Sequence, residues 1–239
     1  MSVAIVSGAS KGLGRALALA LADRGWSLVL DARGSDALDH TASEVRSRLS
    51  ERASLAAVAG DVAAEAHRRE LVSGAQAMGG LDLLVNNAST LGPSPMPRLC
   101  DFPVAELRRV YEVNTFAPLA LVQEALPLLR RSTNPRVLDV TSDASVEAYE
   151  RWGGYGSSKA ALDLVSSVLA VEEPGLRVWA VDPGDMRTQM HQDAFPGEDI
   201  SDRPPPEAAV PGLLGLIEGV LPSGRYRVAE LLANDGDGR

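Results

Sequence analysis

The stretch Ser7-Gly8-Ala9-Ser10-Lys11-Gly12-Leu13-Gly14 is the strongest structural signal in this chain. It follows an apolar run at residues 3–6 and opens an Ala/Leu-rich run at 13–22, which predicts a strand, a glycine-rich turn and a helix. Such a turn presents free backbone N–H groups and the positive end of the helix dipole to a phosphate. Three glycines at this spacing also occur in ordinary tight turns, but the flanking strand and helix favour a dinucleotide site.

Short apolar runs alternate with longer amphipathic runs along the chain. Strands are predicted at residues 3–6, 27–31, 54–59, 81–85, 136–140 and 177–181. Helices are predicted at 13–24, 36–50, 65–78, 105–130 and 160–172. Strands that are apolar throughout indicate a parallel sheet covered on both faces. We therefore expect an α/β fold in three layers, a Rossmann-type doubly wound parallel sheet, forming a single domain over residues 1–239.

Composition narrows the possible functions. The 239 residues include 23 Lys and Arg against 32 Asp and Glu, a net charge of −9, which argues against nucleic acid and anionic membranes as partners. Cys100 is the only cysteine, so an internal disulfide is excluded and a reducing compartment is favoured. No uncharged apolar run reaches the length of a membrane helix, and the N-terminus enters a strand at once. We expect a cytoplasmic protein.

The residues after the second predicted strand bear on which dinucleotide binds. An acid near this position would bind the ribose 2′-hydroxyl of NAD, whereas an arginine would bind the 2′-phosphate of NADP. The sequence has both, Asp31 and Arg33, and Lys11 adds a cation within the glycine turn. Two cations suit a phosphate, although both side chains also fit a solvated surface.

Polar residues also follow the third and fourth predicted strands. Asp61, before Val62, suits either an adenine amine or the start of a helix. Asn86-Asn87-Ala88-Ser89 lets the backbone lie close to a cofactor, although a simple turn would read the same way.

A phenol and an amine stand in helical register after the fifth predicted strand. Ser142 ends that strand region, and Tyr155 and Lys159 follow, four residues apart, so that they face the same way at a helix start. An ammonium beside a phenol lowers the phenol pKa, which makes the phenol a plausible proton donor. A lone Tyr-x-x-x-Lys is common on helix surfaces, so the pair indicates a catalytic site only in combination with the other motifs.

Taken in order, these pieces resemble the short-chain dehydrogenase/reductase family in its compact single-domain branch. The family glycine motif is matched at 7–14, its Asn-Asn-Ala-Gly motif at 86–89, and its Pro-Gly motif at Pro183-Gly184, with Thr188 beyond. The resemblance runs from residue 3 to about residue 190. Two departures stand out: Ser7 replaces a threonine and keeps its hydroxyl, and Ser89 replaces a glycine and adds a side chain beside the nicotinamide region.

The resemblance implies a hydride transfer between a nicotinamide and a carbonyl or secondary alcohol. It implies four catalytic residues, with Tyr155 as proton donor, Ser142 steadying the oxyanion, Lys159 holding the ribose and lowering the Tyr155 pKa, and Asn114 holding a water that links Lys159 to solvent. The residues expected to bind cofactor are Gly8, Ser10, Lys11, Gly12, Leu13, Gly14, Arg33, Asp61, Val62, Asn87, Ala88, Tyr155, Lys159, Pro183, Gly184 and Thr188. In NADP-preferring members cations stand where Lys11 and Arg33 do, so NADP(H) is expected ahead of NAD(H).

Other functions remain open at this stage. A non-catalytic dinucleotide sensor on the same fold would not require the proton donor. Longer-branch epimerases or dehydratases share Tyr-x-x-x-Lys but differ in glycine spacing and carry a larger C-terminal part. Residues 185–206 are expected to form a lid over a small-molecule carbonyl or alcohol, where Met186, Met190 and Phe195 either contact substrate or pin the loop. The resemblance also implies a homodimer or homotetramer, and no metal site is expected.

Overall fold

One seven-stranded sheet organises the computed structural model, which describes residues 2–236. Its strands are β1 (Val3–Val6), β2 (Ser27–Ala32), β3 (Leu55–Ala59), β4 (Leu83–Asn86), β5 (Arg136–Val140), β6 (Arg177–Asp182) and β7 (Gly224–Arg227). They lie in the order β3-β2-β1-β4-β5-β6-β7, and every neighbouring pair is parallel. The predicted α/β class, a Rossmann-type doubly wound parallel sheet, is confirmed.

Helices connect the strands and cover both faces of the sheet. Over residues 2–236 the α-helices are α1 (Gly12–Asp23), α2 (Ser35–Arg46), α3 (Glu65–Ala77), α4 (Val104–Tyr111), α5 (Ala117–Leu129), α6 (Gly153–Glu172), α7 (Gln189–Ala194), α8 (Val210–Glu218) and α9 (Val228–Gly236). None of the helices in this range is long and apolar enough to cross a membrane.

Two hydrophobic cores lie on opposite faces of the sheet. Along β1, Ala4 and Val6 pack into a core shared with α1 and α8, whereas Val3 and Ile5 pack into a core shared with α3 and α5. Side chains of a strand alternate between faces, so a strand that is apolar at every position is buried on both. Burying both faces holds the carboxyl ends of the strands as one rigid edge.

The structure departs from the predicted elements in three main places. The predicted helix 160–172 begins earlier, at Gly153, so that Tyr155 and Lys159 lie within it. The predicted helix 105–130 is interrupted by a π-helical segment, Glu112–Phe116, between α4 and α5. Elements β7 and α7 to α9 were not predicted. β7 reads Gly-Arg-Tyr-Arg, without the apolar run that marks the buried strands, because it pairs only with β6 at the edge of the sheet.

Candidate active site

A cavity of about 660 Å³ lies along the carboxyl ends of the strands. It is lined by the segments after β1 to β6, and strand order reverses between β1 and β4, where crevices form in open parallel sheets. The catalytic and cofactor residues predicted from sequence that line it are Gly8, Ser10, Lys11, Gly12, Leu13, Arg33, Asp61, Val62, Asn87, Ala88, Ser142, Tyr155, Lys159, Pro183, Gly184 and Thr188. Two predicted residues, Gly14 and Asn114, are absent from this lining and lie behind it.

The turn after β1 is clamped to the turn after β4. The Ser7 hydroxyl accepts the backbone N–H groups of Asn87 and Ala88, both at 3.0 Å, and the Asn87 amide donates to the Ser7 and Gly8 carbonyls. Gly8 has a φ of +66°, and a Cβ there would lie 2.9 Å from the Ala88 Cα. A Cβ at Gly14 would collide with the Gly8 carbonyl, so Gly14 is required for close packing of α1 against the turn.

The N-terminus of α1 suits a phosphate. Its N-cap residue, Lys11, makes no side-chain capping bond, and its first turn contains no acidic residue. The first N–H groups of a helix have no partner within the helix, and the dipole favours an anion there. This end of the cavity therefore fits the pyrophosphate of a dinucleotide.

The Asp31 side chain is buried and bonded to other groups of the protein. Its carboxylate is 2.5 Å from His67 Nε2 and accepts the Gly8 N–H at 3.3 Å. The hydrogen bond with Asp31 raises the pKa of His67, although burial opposes this. A Cβ at Gly60 would collide with the His67 ring, so the close approach requires glycine there. Both carboxylate oxygens of Asp31 are thus occupied by protein donors.

Arg33 and Lys11 stand at the same end of the cavity as exposed cations. Within the described part of the chain neither forms an ion pair, whereas the neighbouring Arg15 is held by Glu44 at 2.6 Å. The N-terminus of α2 begins just after Arg33, at Gly34 and Ser35. Two cations and a helix N-terminus form a surface that suits a phosphate group.

Asp61 lines the cavity and also starts the approach to α3. Its side chain accepts the Ala63 N–H at 2.9 Å and pairs with Arg109. Burial alone would raise the pKa of Asp61, but the Ala63 N–H and the Arg109 and Arg33 charges outweigh it, so the pKa is lowered. The carboxylate is therefore ionised and able to accept a further hydrogen bond. The two interpretations of Asp61, as a partner of an adenine amine and as a residue at the start of a helix, are compatible.

Ser142 and Tyr155 line the same cavity. Tyr155 lies in the first turn of α6, and the Ser142 and Ser89 hydroxyls act to lower its pKa. Burial is the larger influence, however, and with the charges of Asp182 and Asp143 it raises the pKa above the usual value for tyrosine. The net direction is upward, whereas the sequence interpretation expected a lowered phenol pKa.

Lys159 is fully buried one turn further along α6. Its Nζ is 5.8 Å from the centroid of the Tyr155 ring and donates to the Val140 carbonyl at 2.7 Å. Burial lowers the pKa of Lys159 to about 8, against the attraction of Asp139 and Asp163. The amine is thus fixed near the phenol and held to the end of β5 by a single protein acceptor.

Asn114 lies within the π-helical segment and is fully buried. Its side-chain oxygen accepts from the Ser89 hydroxyl at 3.1 Å and the Thr90 N–H at 2.9 Å. Its nitrogen donates to the Thr90 carbonyl and the Ser158 hydroxyl. The amide is saturated by protein partners, so it ties the segment after β4 to α6.

Comparison with known proteins places this arrangement in a family. The profile described as short chain dehydrogenase matches residues 2–199. The chain belongs to the short-chain dehydrogenase family. It is 36% identical over 199 residues to the rhamnolipids biosynthesis 3-oxoacyl-[acyl-carrier-protein] reductase of Pseudomonas aeruginosa, covering 79% of this chain and 74% of that protein.

Solved structures support the same assignment. A short-chain dehydrogenase from Shigella flexneri in complex with NADP has a TM-score of 0.86 and 26% identity, with 95% of this chain and 97% of that chain covered. A 7α-hydroxysteroid dehydrogenase in complex with NADH and 7-oxo glycochenodeoxycholic acid has a TM-score of 0.84 and 28% identity, covering 95% and 91%. This short-chain dehydrogenase thus shares its fold with proteins that bind either dinucleotide.

Two contacts in this short-chain dehydrogenase had no signal in the sequence. His67, on α3, pairs with Asp31 beneath the glycine turn. Arg225, on the unpredicted β7, donates to the Ser142 carbonyl at 2.9 Å and to Asp163 at 3.0 Å. Both partners are distant in sequence, so only the folded sheet brings them together.

The segment 185–206 of this short-chain dehydrogenase packs over one end of the cavity. Phe195 packs against Trp152 and His191 with tilted rings, at centroid distances of 5.8 and 4.9 Å, and Trp152 meets Tyr155 edge-on. Met190 packs against the small cluster that contains Tyr155, whereas Met186 packs on a sheet core. Met186 therefore pins the segment, and the other apolar residues form a wall near the phenol.

Proposed function

We propose that this short-chain dehydrogenase is an NADPH-dependent oxidoreductase of the carbonyl reductase type, which interconverts a carbonyl compound and a secondary alcohol. The observation that carries this proposal is that Ser142, Tyr155 and Lys159 line one cavity together with the uncapped N-terminus of α1. The nicotinamide, when bound, supplies or accepts the hydride. The protein supplies the proton, the alignment and the exclusion of water.

The chain's own residues divide the work of proton transfer. In reduction, Tyr155 gives its proton to the carbonyl oxygen, and in oxidation its phenolate takes the proton from the alcohol. Ser142 donates a hydrogen bond that stabilises the developing negative charge on that oxygen. Lys159 holds the nicotinamide ribose hydroxyls. Arg225 acts through Ser142, because it fixes the backbone carbonyl of that residue.

The role proposed for Asn114 differs from the one that the sequence resemblance implied. Its side-chain amide is filled by Ser89, Thr90 and Ser158, so it cannot itself hold the water expected to link Lys159 to solvent. A π-helical turn leaves backbone carbonyls without their usual helical partners. We infer that such a water is bound by the main chain of the segment Glu112–Phe116.

The preference for NADPH rests on the contrast between Asp31 and Arg33. The carboxylate of Asp31 is engaged by His67 and Gly8, whereas Arg33 and Lys11 are free cations within the described residues. Binding to this surface would favour a 2′-phosphate over a 2′-hydroxyl. The adenine would lie beside Asp61 and Val62, and Pro183, Gly184 and Thr188 would flank the nicotinamide.

The remaining parts of the proposal concern substrate, assembly and location. The substrate is a small carbonyl compound or alcohol, held against the wall formed by Trp152, Met190 and Phe195, with residues 185–206 as the lid. We infer one catalytic domain over 1–239 that acts as a homodimer or homotetramer in the cytoplasm. The single, exposed Cys100 is compatible with a reducing compartment.

Replacing Tyr155 by Phe tests the proposal. The variant removes the transferable proton and keeps the ring, so carbonyl reduction should fall by about 10²- to 10⁴-fold. NADPH binding, measured by the fluorescence of the reduced nicotinamide, should change little. Turnover is measured as NADPH oxidation against a panel of aldehydes and ketones.

Tyr226→Phe is the matched control, because Tyr226 lies on β7 outside the cavity lining and its hydroxyl donates to the Pro222 carbonyl. This control should keep wild-type turnover. Normal turnover in Tyr155→Phe would remove the assignment of the proton donor. An absence of NADPH oxidation by the wild type with every carbonyl tested, despite tight NADPH binding, would favour the sensor instead.

A further inference from the structure

A buried arginine on α3 binds the main chain next to the cavity. Arg68 is 8% exposed and is not itself part of the cavity lining. Its Nη1 donates to the Val62 carbonyl at 3.0 Å and to the Ala63 carbonyl at 2.9 Å. Both carbonyls belong to the segment between β3 and α3, so the guanidinium holds the chain that leads into its own helix.

The segment that Arg68 holds also forms part of the cavity wall. Asp61 and Val62 both line the cavity, and the proposed function places them beside the adenine. The Val62 side chain packs into the core shared with α3 and α5, and the Asp61 carboxylate accepts the Ala63 N–H at 2.9 Å. A shift of the main chain at residues 62–63 would therefore displace both groups that face the adenine.

Glu124 fixes the Arg68 guanidinium from a second helix. Its Oε1, on α5, accepts from Arg68 Nε at 3.1 Å. A planar guanidinium carries five N–H donors, so one side chain can bind a carboxylate and two carbonyls at the same time. Hydrogen bonds from a charged donor are also stronger than those between neutral groups. Arg68 therefore ties the segment at residues 61–63 to α5 as well as to α3.

We propose that Arg68 is a positioning residue for the adenine half of the dinucleotide. By holding the carbonyls of Val62 and Ala63, it keeps the Asp61 carboxylate and the Val62 side chain in place for the adenine ring. It acts through these residues and does not touch the cofactor. The inference rests on the proposed function, because it assumes that a dinucleotide binds with its adenine beside Asp61.

Replacing Arg68 by Met tests this role, because methionine fills part of the same space and has no donor. The dissociation constant of NADPH should rise by about tenfold, as expected for the loss of hydrogen bonds from a charged donor. The dissociation constant of NADH should rise by the same factor, since both dinucleotides contain adenine. Fluorescence of the reduced nicotinamide measures both constants, and displacement of NADPH by 5′-AMP should weaken in parallel.

Reduced nicotinamide mononucleotide separates positioning of the adenine from a general disturbance of the fold, because it carries the hydride and lacks adenine. Carbonyl reduction driven by this mononucleotide should proceed at the same rate in Arg68→Met and in the wild type. With NADPH, the KM should rise while kcat at saturation stays unchanged.

Arg69→Met is the matched control, since this neighbouring arginine is exposed and pairs with Glu65 on the surface of α3. It should leave all of these values unchanged. If Arg68→Met fails to fold, Arg68→Lys takes its place, because lysine retains the charge but carries its donors on a single nitrogen. Both dissociation constants should then rise by a smaller factor, about threefold.

An unchanged dissociation constant for NADPH in a folded Arg68 variant would overturn the inference. Weakening of NADPH alone, an equal loss of turnover with the mononucleotide, or a failure of both variants to fold would overturn it too. If the wild type binds NADPH and the Arg68 variants bind it equally well, only this inference fails. If the wild type binds neither dinucleotide, the proposed function fails as well.

Discussion

At the scale of single residues, the proposed preference for NADPH depends on Arg33 and Lys11. Both are exposed cations beside the N-terminus of α2, and no carboxylate of the described residues pairs with them. A charge-assisted hydrogen bond to a phosphate is stronger than one between neutral groups. Discrimination between the two dinucleotides should therefore depend on these two side chains.

Replacing Arg33 by Ala should weaken NADPH binding by about 10- to 100-fold, as expected for the loss of one hydrogen bond between charged groups. NADH binding should change by less than about twofold, since NADH lacks the 2′-phosphate. Titration of the fluorescence of each reduced dinucleotide gives both dissociation constants.

Arg46→Ala is the control for that measurement. Arg46 is an exposed arginine in the last turn of α2, at the opposite end of the helix from Arg33. It should leave both dissociation constants unchanged. Equal weakening of NADPH and NADH in Arg33→Ala would show that the arginine contacts a group common to the two dinucleotides.

Contacts with neighbouring side chains explain which features of the candidate site could be predicted from the sequence and which could not. Tyr155 and Lys159 were predicted to face the same way, and the structure places both within α6 on the cavity wall. Asp31 and Arg33 could not be separated from sequence, because the deciding partner, His67, lies 36 residues away from Asp31 in the chain. The direction of the Tyr155 pKa was missed for a related reason, since burial outweighs the local pattern.

At the scale of elements, the packing of α6 against the turn after β5 sets the geometry of the site. The 3₁₀ turn Asp143–Ser145 follows Ser142, and Gly156 faces it: a Cβ at this glycine would lie 2.5 Å from the Ala144 carbonyl. The carbonyl is backbone and cannot move aside alone. Because Gly156 has no Cβ, α6 can pack closely against this turn, and the close packing fixes the positions of Ser142 and Tyr155 relative to each other.

Gly156→Ala should separate α6 from that turn. We expect carbonyl reduction to fall by at least about tenfold, because small displacements of a catalytic group have large effects. We also expect the free energy of unfolding to drop by about 1–3 kcal/mol through overpacking. Turnover and chemical denaturation give the two values.

Gly175→Ala provides the comparison, because a Cβ there would meet no heavy atom within 4 Å. Its turnover and stability should stay close to wild type. Wild-type turnover in Gly156→Ala would mean that the turn after β5 adapts, and that this contact does not set the separation of the two hydroxyls.

The π-helical segment is a feature that could not be predicted from the sequence. Residues 105–130 were predicted as one helix, since apolar residues continue through the segment at helical spacing. The widened turn buries Val113, Asn114 and Thr115. The hydrogen bonds that fix the π-helical turn run from Asn114 and Thr115 to Thr90 and Ser158. Because these partners lie in other parts of the chain, no local sequence pattern predicts the turn.

At the scale of the whole molecule, one face of α6 is apolar and exposed. Leu164, Val168 and Val171 recur at helical spacing with exposures of 66%, 46% and 80%. Phe116, at the end of the π-helical segment, is also half exposed. An apolar stripe on a helix indicates an interface, and these residues support the proposed homo-oligomer.

Val168→Glu should therefore lower the mass of the particle in solution, because it places a charge within the proposed interface. Light scattering coupled to size-exclusion chromatography measures this mass at several protein concentrations. Val220→Glu is the control, since this valine is 91% exposed and follows α8, outside the stripe. An oligomer that withstands Val168→Glu and dissociates in Val220→Glu would place the contact elsewhere.

The helix α6 carries Tyr155 and Lys159 on its buried side and the apolar stripe on its outer side. It is a single uninterrupted rod of 20 residues, so the two sides cannot shift independently. Evolutionary drift at the outer valines would thus be transmitted to the alignment of the reacting phenol. Under the proposed function and assembly, changes of quaternary partner and changes of catalytic rate should consequently arise together in the lineages of this protein.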